Sequence, residues 1–185
     1  MTVGRRHDFD VVIIGGGMVG LCAAALFARD ERLAGWRIAV VESATSRPPD
    51  PASLDLRVSA LSRASERILL AAGAWPAIRE HACPYSEMVV WDAASSHDAR
   101  DALRFSAAET GEPDLGHIVE NLRVQWELLE SPELEGVTQL RASLDALEFD
   151  ADSASVTLSD GRRVTCGIVV GADGVHLGQK DLPVA

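Results

Sequence analysis

The sequence predicts an α/β fold: a parallel sheet covered by helices, joined late in the chain by a small antiparallel β-meander. Three observations carry this expectation. Val11 to Ile14 is an unbroken run of aliphatic, β-branched residues, the pattern of a strand buried on both faces. Gly15, Gly17 and Gly20 follow it as G-x-G-x-x-G and open an Ala-rich stretch to about Asp30. A second strand, Arg37 to Val41, ends in Glu42, about 20 residues past the last of those glycines.

Each of these residue types has a physical task. Gly15 lets the chain turn sharply out of the strand. Gly17 lets the backbone approach a pyrophosphate where a Cβ would intrude, and Gly20 lets the helix pack closely on the strand. The helix then offers free backbone N–H groups and its positive dipole end to phosphates. A carboxylate at Glu42 can accept hydrogen bonds from ribose hydroxyls. Two other readings compete: a glycine-rich turn with no ligand, and a membrane or signal segment. The second arises because Val11 to Ala28 carries no charge and follows Arg5 and Arg6. Three consecutive glycines inside the run, and Asp8 and Asp10 before it, weigh against it.

The chain has 185 residues, enough for one domain with a real core, and 47% of them are hydrophobic. Its net charge of −11, with no cluster of Lys and Arg, excludes nucleic acid as an expected partner and gives no attraction to anionic membranes. Cys22, Cys83 and Cys166 form no CxxC pair and are read as small buried hydrophobes in a reducing, cytoplasmic setting. The five histidines (7, 81, 97, 117 and 176) share no metal-ligand spacing and are read as surface or capping residues; no metal is expected.

After Glu42 the prolines at 48, 49 and 51 impose an extended connection. Asp55 to Ser65 reads as the opening of a helix, with Leu61, Ile68, Leu69 and Ala72 at helical spacing and Gly73 as its cap. Trp75-Pro76 begins a short helix. Tyr85 to Asp92 reads as one strand, with Leu103 to Ser106 as partner. His117 to Glu120 is a short strand end, after which Asn121 caps a helix that Pro132 stops. Short strands follow at 139–141, 144–149, 156–158 and 163–166, with a hairpin turn at Asp160-Gly161. Ile168 to Gly171 reads as a further doubly buried strand.

Four separated motifs together resemble one family. They are Val11 to Gly20, Asp55-Leu-Arg-Val-Ser-Ala-Leu-Ser62, His117-Ile-Val-Glu-Asn121 with Gln125, and Gly171-Ala-Asp-Gly174. Met88-Val-Val-Trp-Asp92 adds to them. The chain is similar to the FAD-dependent aromatic hydroxylases of the para-hydroxybenzoate hydroxylase type, and among those to the ubiquinone-biosynthesis hydroxylases. The resemblance implies a Rossmann-like FAD-binding domain, incomplete at the C-terminus. Its core would be 8–84 and 117–174, with 85–116 the start of a substrate-domain sheet. It implies an FAD monooxygenase hydroxylating an aromatic ring, a polyprenylated phenol, with NAD(P)H as transient electron donor and peripheral association with a membrane or a biosynthetic complex. Gly15, Gly17 and Gly20 would surround the ADP pyrophosphate. Glu42 would hold the ribose, Arg57 would reach the phosphates, and Gln125 would bond FAD between ribityl and phosphate. Asp173 would lie by FAD and the nicotinamide. No catalytic acid or base is assignable.

The sequence also departs from the family pattern. The serine- and arginine-bearing loop expected after Gly174 is not there, and Trp126-Glu127 replace a basic residue and alanine. A truncated chain, an inactive flavoprotein fragment and an NAD-linked dehydrogenase are the competing expectations.

Overall fold

A computed structural model describes residues 7–174 of the chain. The departure from the family pattern after Gly174 lies outside the described residues. The elements run β1 (Phe9–Ile14), α1 (Met18–Arg29), β2 (Ile38–Val41), β3 (Val58–Ser62), α2 (Arg63–Ala71) and α3 (Trp75–Arg79). Then come β4 (Cys83–Tyr85), β5 (Glu87–Val90), β6 (Leu103–Ser106), α4 (Ala107–Thr110), β7 (Gly116–Glu120) and α5 (Asn121–Leu129). Last are β8 (Thr138–Leu140), β9 (Leu144–Phe149), β10 (Ala154–Leu158) and β11 (Arg163–Gly171). Two compact units form: one from the residues up to Pro48 together with those from Gln125, the other from Pro49–Val124.

The first unit is built on a six-stranded sheet in the order β8-β2-β1-β11-β10-β9. The first four strands are parallel and the last two antiparallel. Val11 to Ile14 lie at its centre at no more than 2% exposure, which explains their uninterrupted aliphatic run. Every residue of β2 is buried beside them. Val12, Ile14, Val41, Leu140, Val156 and Leu158 share one core cluster. α1 buries Leu21 together with Gly20, Cys22, Ala24 and Ala25, small residues that allow a close approach. Asp8 ties the start of β1 to β11. Its carboxylate accepts from the Thr165 backbone N–H and hydroxyl, both at 2.8 Å, and these bonds hold its pKa below the ordinary carboxylate range.

β11 differs from the expected pair of segments. The stretches 163–166 and 168–171 are one nine-residue strand, whose first part pairs antiparallel with β10 while the part from Cys166 runs parallel to β1. It is not doubly buried: Ile168 is 41% exposed.

The second unit holds an antiparallel sheet, β3-β7-β4, and a separate ribbon, β5-β6. The helix expected from Asp55 begins only at Arg63. Val58 to Ser62 instead pairs residue by residue with β7, Val58 opposite Glu120 and Ser62 opposite Gly116. Ser62 ends the strand and caps α2, its Oγ accepting from the Ser65 N–H at 3.3 Å. The single strand expected from Tyr85 divides at Ser86, with β4 pairing to β7 and β5 to β6. Asn121 is the first residue of its helix, and its Oδ1 accepts from Ser59 Oγ at 2.6 Å. Pro132 opens a short 3-10 turn after α5 has ended. Cys83 is exposed, against the expectation of burial, because β4 is an edge strand. His117 is buried rather than superficial, with Nδ1 2.6 Å from Glu66 Oε1.

Candidate functional site

At the C-terminal ends of β1 and β2 the first unit opens a cleft of about 410 Å³, lined among others by Gly15, Gly17, Glu42, Ser143 and Asp173. This is where parallel α/β sheets bind ligands. The loop Gly15–Gly17 hangs from the sheet by two backbone bonds. Gly15 N–H donates to the Val41 carbonyl at 2.9 Å, and the Ala172 N–H donates to the Ile14 carbonyl at 2.7 Å.

The three fingerprint glycines divide into two kinds. Gly15 has φ +109°, a region that disfavours L side chains, and a Cβ there would sit 2.6 Å from the Ala172 carbonyl carbon. A Cβ on Gly20 would lie 1.9 Å from the Gly15 carbonyl oxygen. These two serve internal packing. Gly17 is different: a Cβ there meets nothing within 4 Å, and its φ of −71° is open to any residue. Among the described residues nothing requires glycine at 17, which leaves the backbone there open to a ligand. Gly17 is also the N-cap of α1, with no side-chain cap and no acid in the first turn. The orphan N–H groups of that turn are therefore left for an anion.

Glu42 lies against this loop. Its Oε2 accepts from the Gly16 N–H at 2.9 Å and its Oε1 from the Ala44 N–H at 2.7 Å. Each carboxylate oxygen has a second lone pair, so the group still has acceptor capacity for ribose hydroxyls. Gln125 does not line the cleft. Its Nε2 donates to the Gly16 carbonyl at 2.7 Å. Asp173 forms part of the cleft wall, its N–H next to Gly15. Gly15, Gly17, Gly20, Glu42, Gln125 and Asp173 thus gather on one unit. Arg57 belongs to the other, exposed just before β3, with its carbonyl accepting from the Asn121 N–H at 2.9 Å. Sequence reasoning missed Gly16 and the wall at Ala142–Leu144. Gly16 carries no signal beyond being the middle glycine of a run, and Ala142–Leu144 carries none.

A larger cavity of about 580 Å³ lies in the second unit, around the Glu66–His117 pair. Glu66, Asp114 and His117 bring their ligand-type atoms within 4.8 Å of one another. A cation already serves the two acids there: an Arg63 guanidinium nitrogen lies 3.3 Å from Glu66 and 3.2 Å from Asp114. This is an internally compensated charge network, without the open N–H groups of the β1–α1 cleft.

A parallel sheet, a glycine fingerprint entering an uncapped helix and an acid ending the second strand define an α/β dinucleotide-binding protein. The chain belongs to the FAD binding domain family, which matches residues 8–183. It is 33% identical to 3-demethoxyubiquinol 3-hydroxylase of Escherichia coli (strain K12) over 171 residues, 90% of this chain and 41% of that protein. It is 34% identical to ubiquinone biosynthesis monooxygenase COQ6 of Xenopus tropicalis over 181 residues, 90% of this chain and 38% of the relative. The relatives are those the four motifs implied, and the chain spans about two fifths of their length. Among solved structures, p-nitrophenol 4-monooxygenase of Pseudomonas putida superposes with a TM-score of 0.67 at 20% identity, over 91% of this chain and 41% of that one. HpxO of Klebsiella pneumoniae, complexed with FAD, gives a TM-score of 0.62 at 21% identity, over 91% and 40%. At these identities the structures establish the fold. Among the described residues no helix is long and apolar enough to cross a membrane.

Proposed function

We propose that this chain supplies the adenosine-diphosphate side of the FAD site of an aromatic-ring hydroxylase acting on a polyprenylated phenol of ubiquinone biosynthesis, with NAD(P)H as reductant. The observation that carries the reading is Gly17, a glycine that no packing among the described residues calls for, set at an uncapped helix start. The N–H groups of the first turn of α1 would take the pyrophosphate, Glu42 would take the ribose hydroxyls, and Asp173 would form the far wall. Arg57 is proposed to reach the phosphates. FAD, when bound, supplies the redox chemistry; the residues of this chain bind and orient it. A prenylated substrate dwells in a bilayer, so the proposed setting is peripheral, at the cytoplasmic face of a membrane.

The test is FAD binding to wild type and Gly17→Val, followed by flavin fluorescence. The variant should keep its melting transition, because the new side chain enters open space, and should lose FAD binding. Undiminished affinity in a folded Gly17→Val protein would overturn the reading.

A further inference from the structure

Gly16 is not one of the fingerprint glycines, yet it is held from both sides. Its N–H donates to Glu42 Oε2 at 2.9 Å and its carbonyl accepts from Gln125 Nε2 at 2.7 Å. A carbonyl can only accept, so the Gln125 amide must present its nitrogen here. The two bonds fall on the two peptide planes that flank the Gly16 Cα. They therefore fix the pair of dihedrals that glycine leaves loosest. The Gly16 carbonyl shares its plane with the Gly17 N–H, and the described residues contain no cis peptide. In a trans peptide that N–H points opposite the carbonyl, hence away from Gln125. A side chain at 16 would destroy the arrangement: its Cβ would lie 2.7 Å from Glu42 Cβ and 2.8 Å from Cγ. These are atoms at the root of the side chain, which cannot swing aside as a flexible tip can.

We propose that Gly16, Glu42 and Gln125 form one positioning clamp, in which Gln125 acts on the nucleotide through Gly16. Gln125 sets the loop, and the loop aims the Glu42 carboxylate at the ribose and the Gly17 N–H at the phosphates. This gives Gln125 an indirect role, and it gives Gly16 a specificity role that the fingerprint does not assign. The inference rests on the reading of the cleft as an adenosine-diphosphate site.

The experiment compares the affinities of the 185-residue chain for ADP and for 2′,3′-dideoxy-ADP by titration calorimetry. Wild type should prefer ADP about tenfold or more, the worth of a hydrogen bond to a charged group. Gln125→Leu should bring that preference to within about twofold, as should Gly16→Ala, because a displaced carboxylate no longer registers the hydroxyls. A merely structural Gln125 would weaken both ligands equally and leave the preference intact, and that result overturns the clamp. Gln125→Leu leaves the loop glycines in place, so it decides the matter even if Gly16→Ala fails to fold. A wild-type chain without the hydroxyl preference would instead overturn the assignment of Glu42, and one that binds neither nucleotide would overturn the dinucleotide reading itself; either result removes the clamp with it.

Discussion

The two units handle buried polarity in opposite ways. In the fingerprint unit, polar groups face an open cleft and are held by backbone: Glu42 takes two N–H groups and Gly16 lends both its donor and its acceptor. In the other unit a carboxyl–imidazole pair is buried and satisfied by side chains. Glu66 meets His117 on one oxygen and Arg63 on the other, while Trp75 packs edge-on to the imidazole with ring centres 5.2 Å apart. Backbone-held groups keep spare lone pairs and N–H bonds for a ligand. A side-chain network consumes its own capacity and yields a specified core instead. The difference separates a place left open to a ligand from one satisfied within itself, although the second has the larger cavity.

The largest expected effect is at Gly20. Gly20→Ala puts a methyl 1.9 Å from the Gly15 carbonyl oxygen, a backbone atom, and should destabilise by about 3 kcal/mol or more. Set beside the proposed Gly17→Val variant it sharpens the contrast between packing glycine and ligand glycine. A Gly20→Ala protein melting with wild type would erase that contrast.

Next is the buried pair. His117→Leu leaves one Glu66 oxygen without its partner and should cost about 1–3 kcal/mol in urea denaturation. The double variant Glu66→Leu with His117→Leu should recover much of this loss, since it removes the orphaned carboxylate while Arg63 keeps Asp114 at 3.2 Å. If the double variant is worse than the sum of the singles, the pair is more than internal compensation and the comparison fails.

The smallest effect is chemical. Burial pushes the Cys166 thiol up to about 11 and raises that of Cys22, while Cys83 is exposed. At pH 8 a thiol with that pKa is thiolate in about one molecule per thousand. A disulfide reagent should therefore titrate one thiol quickly in the folded chain, and all three only in denaturant. Rapid loss of all three would mean that the fingerprint unit opens as readily as an edge strand.

How much was legible follows the range of the interactions. β1, α1 and β2 could be read directly, because strand burial, glycine turns and helix periodicity are written within a few consecutive residues. The segment from Val58 to Ser62 could not. Its serines and alanine carry no strong preference, and what makes it a strand is β7, whose residues lie about sixty positions on. His117 looked superficial for the same reason: its partner Glu66 is 51 residues away. At the site, the fingerprint announced Gly15, Gly17, Gly20 and Glu42. The role of Gly16 exists only once Glu42, 26 residues off, folds against it, and nothing local to a glycine run records that. The uncapped start of α1 was legible because it belongs to a helix end, whereas the Glu42 and Gln125 bonds to Gly16 behind it were not.

The dual pairing of β11 sets a timetable for the chain's assembly. β9, β10 and β11 are linked by short turns and can pair as soon as they exist, whereas β1, paired with β2 on one edge, finds the neighbour for its other edge in a strand held to it across 157 residues, from Asp8 to Thr165. At synthesis rates of about 5–20 residues per second, that neighbour emerges roughly ten to thirty seconds after β1 does. For that interval a strongly apolar strand has an open hydrogen-bonding edge, which is the form in which strands recruit unrelated chains. The dependence of nascent-chain aggregation on translation speed is thus a property of where β11 sits in the sequence, and slowing the ribosome before Arg163 should make it worse.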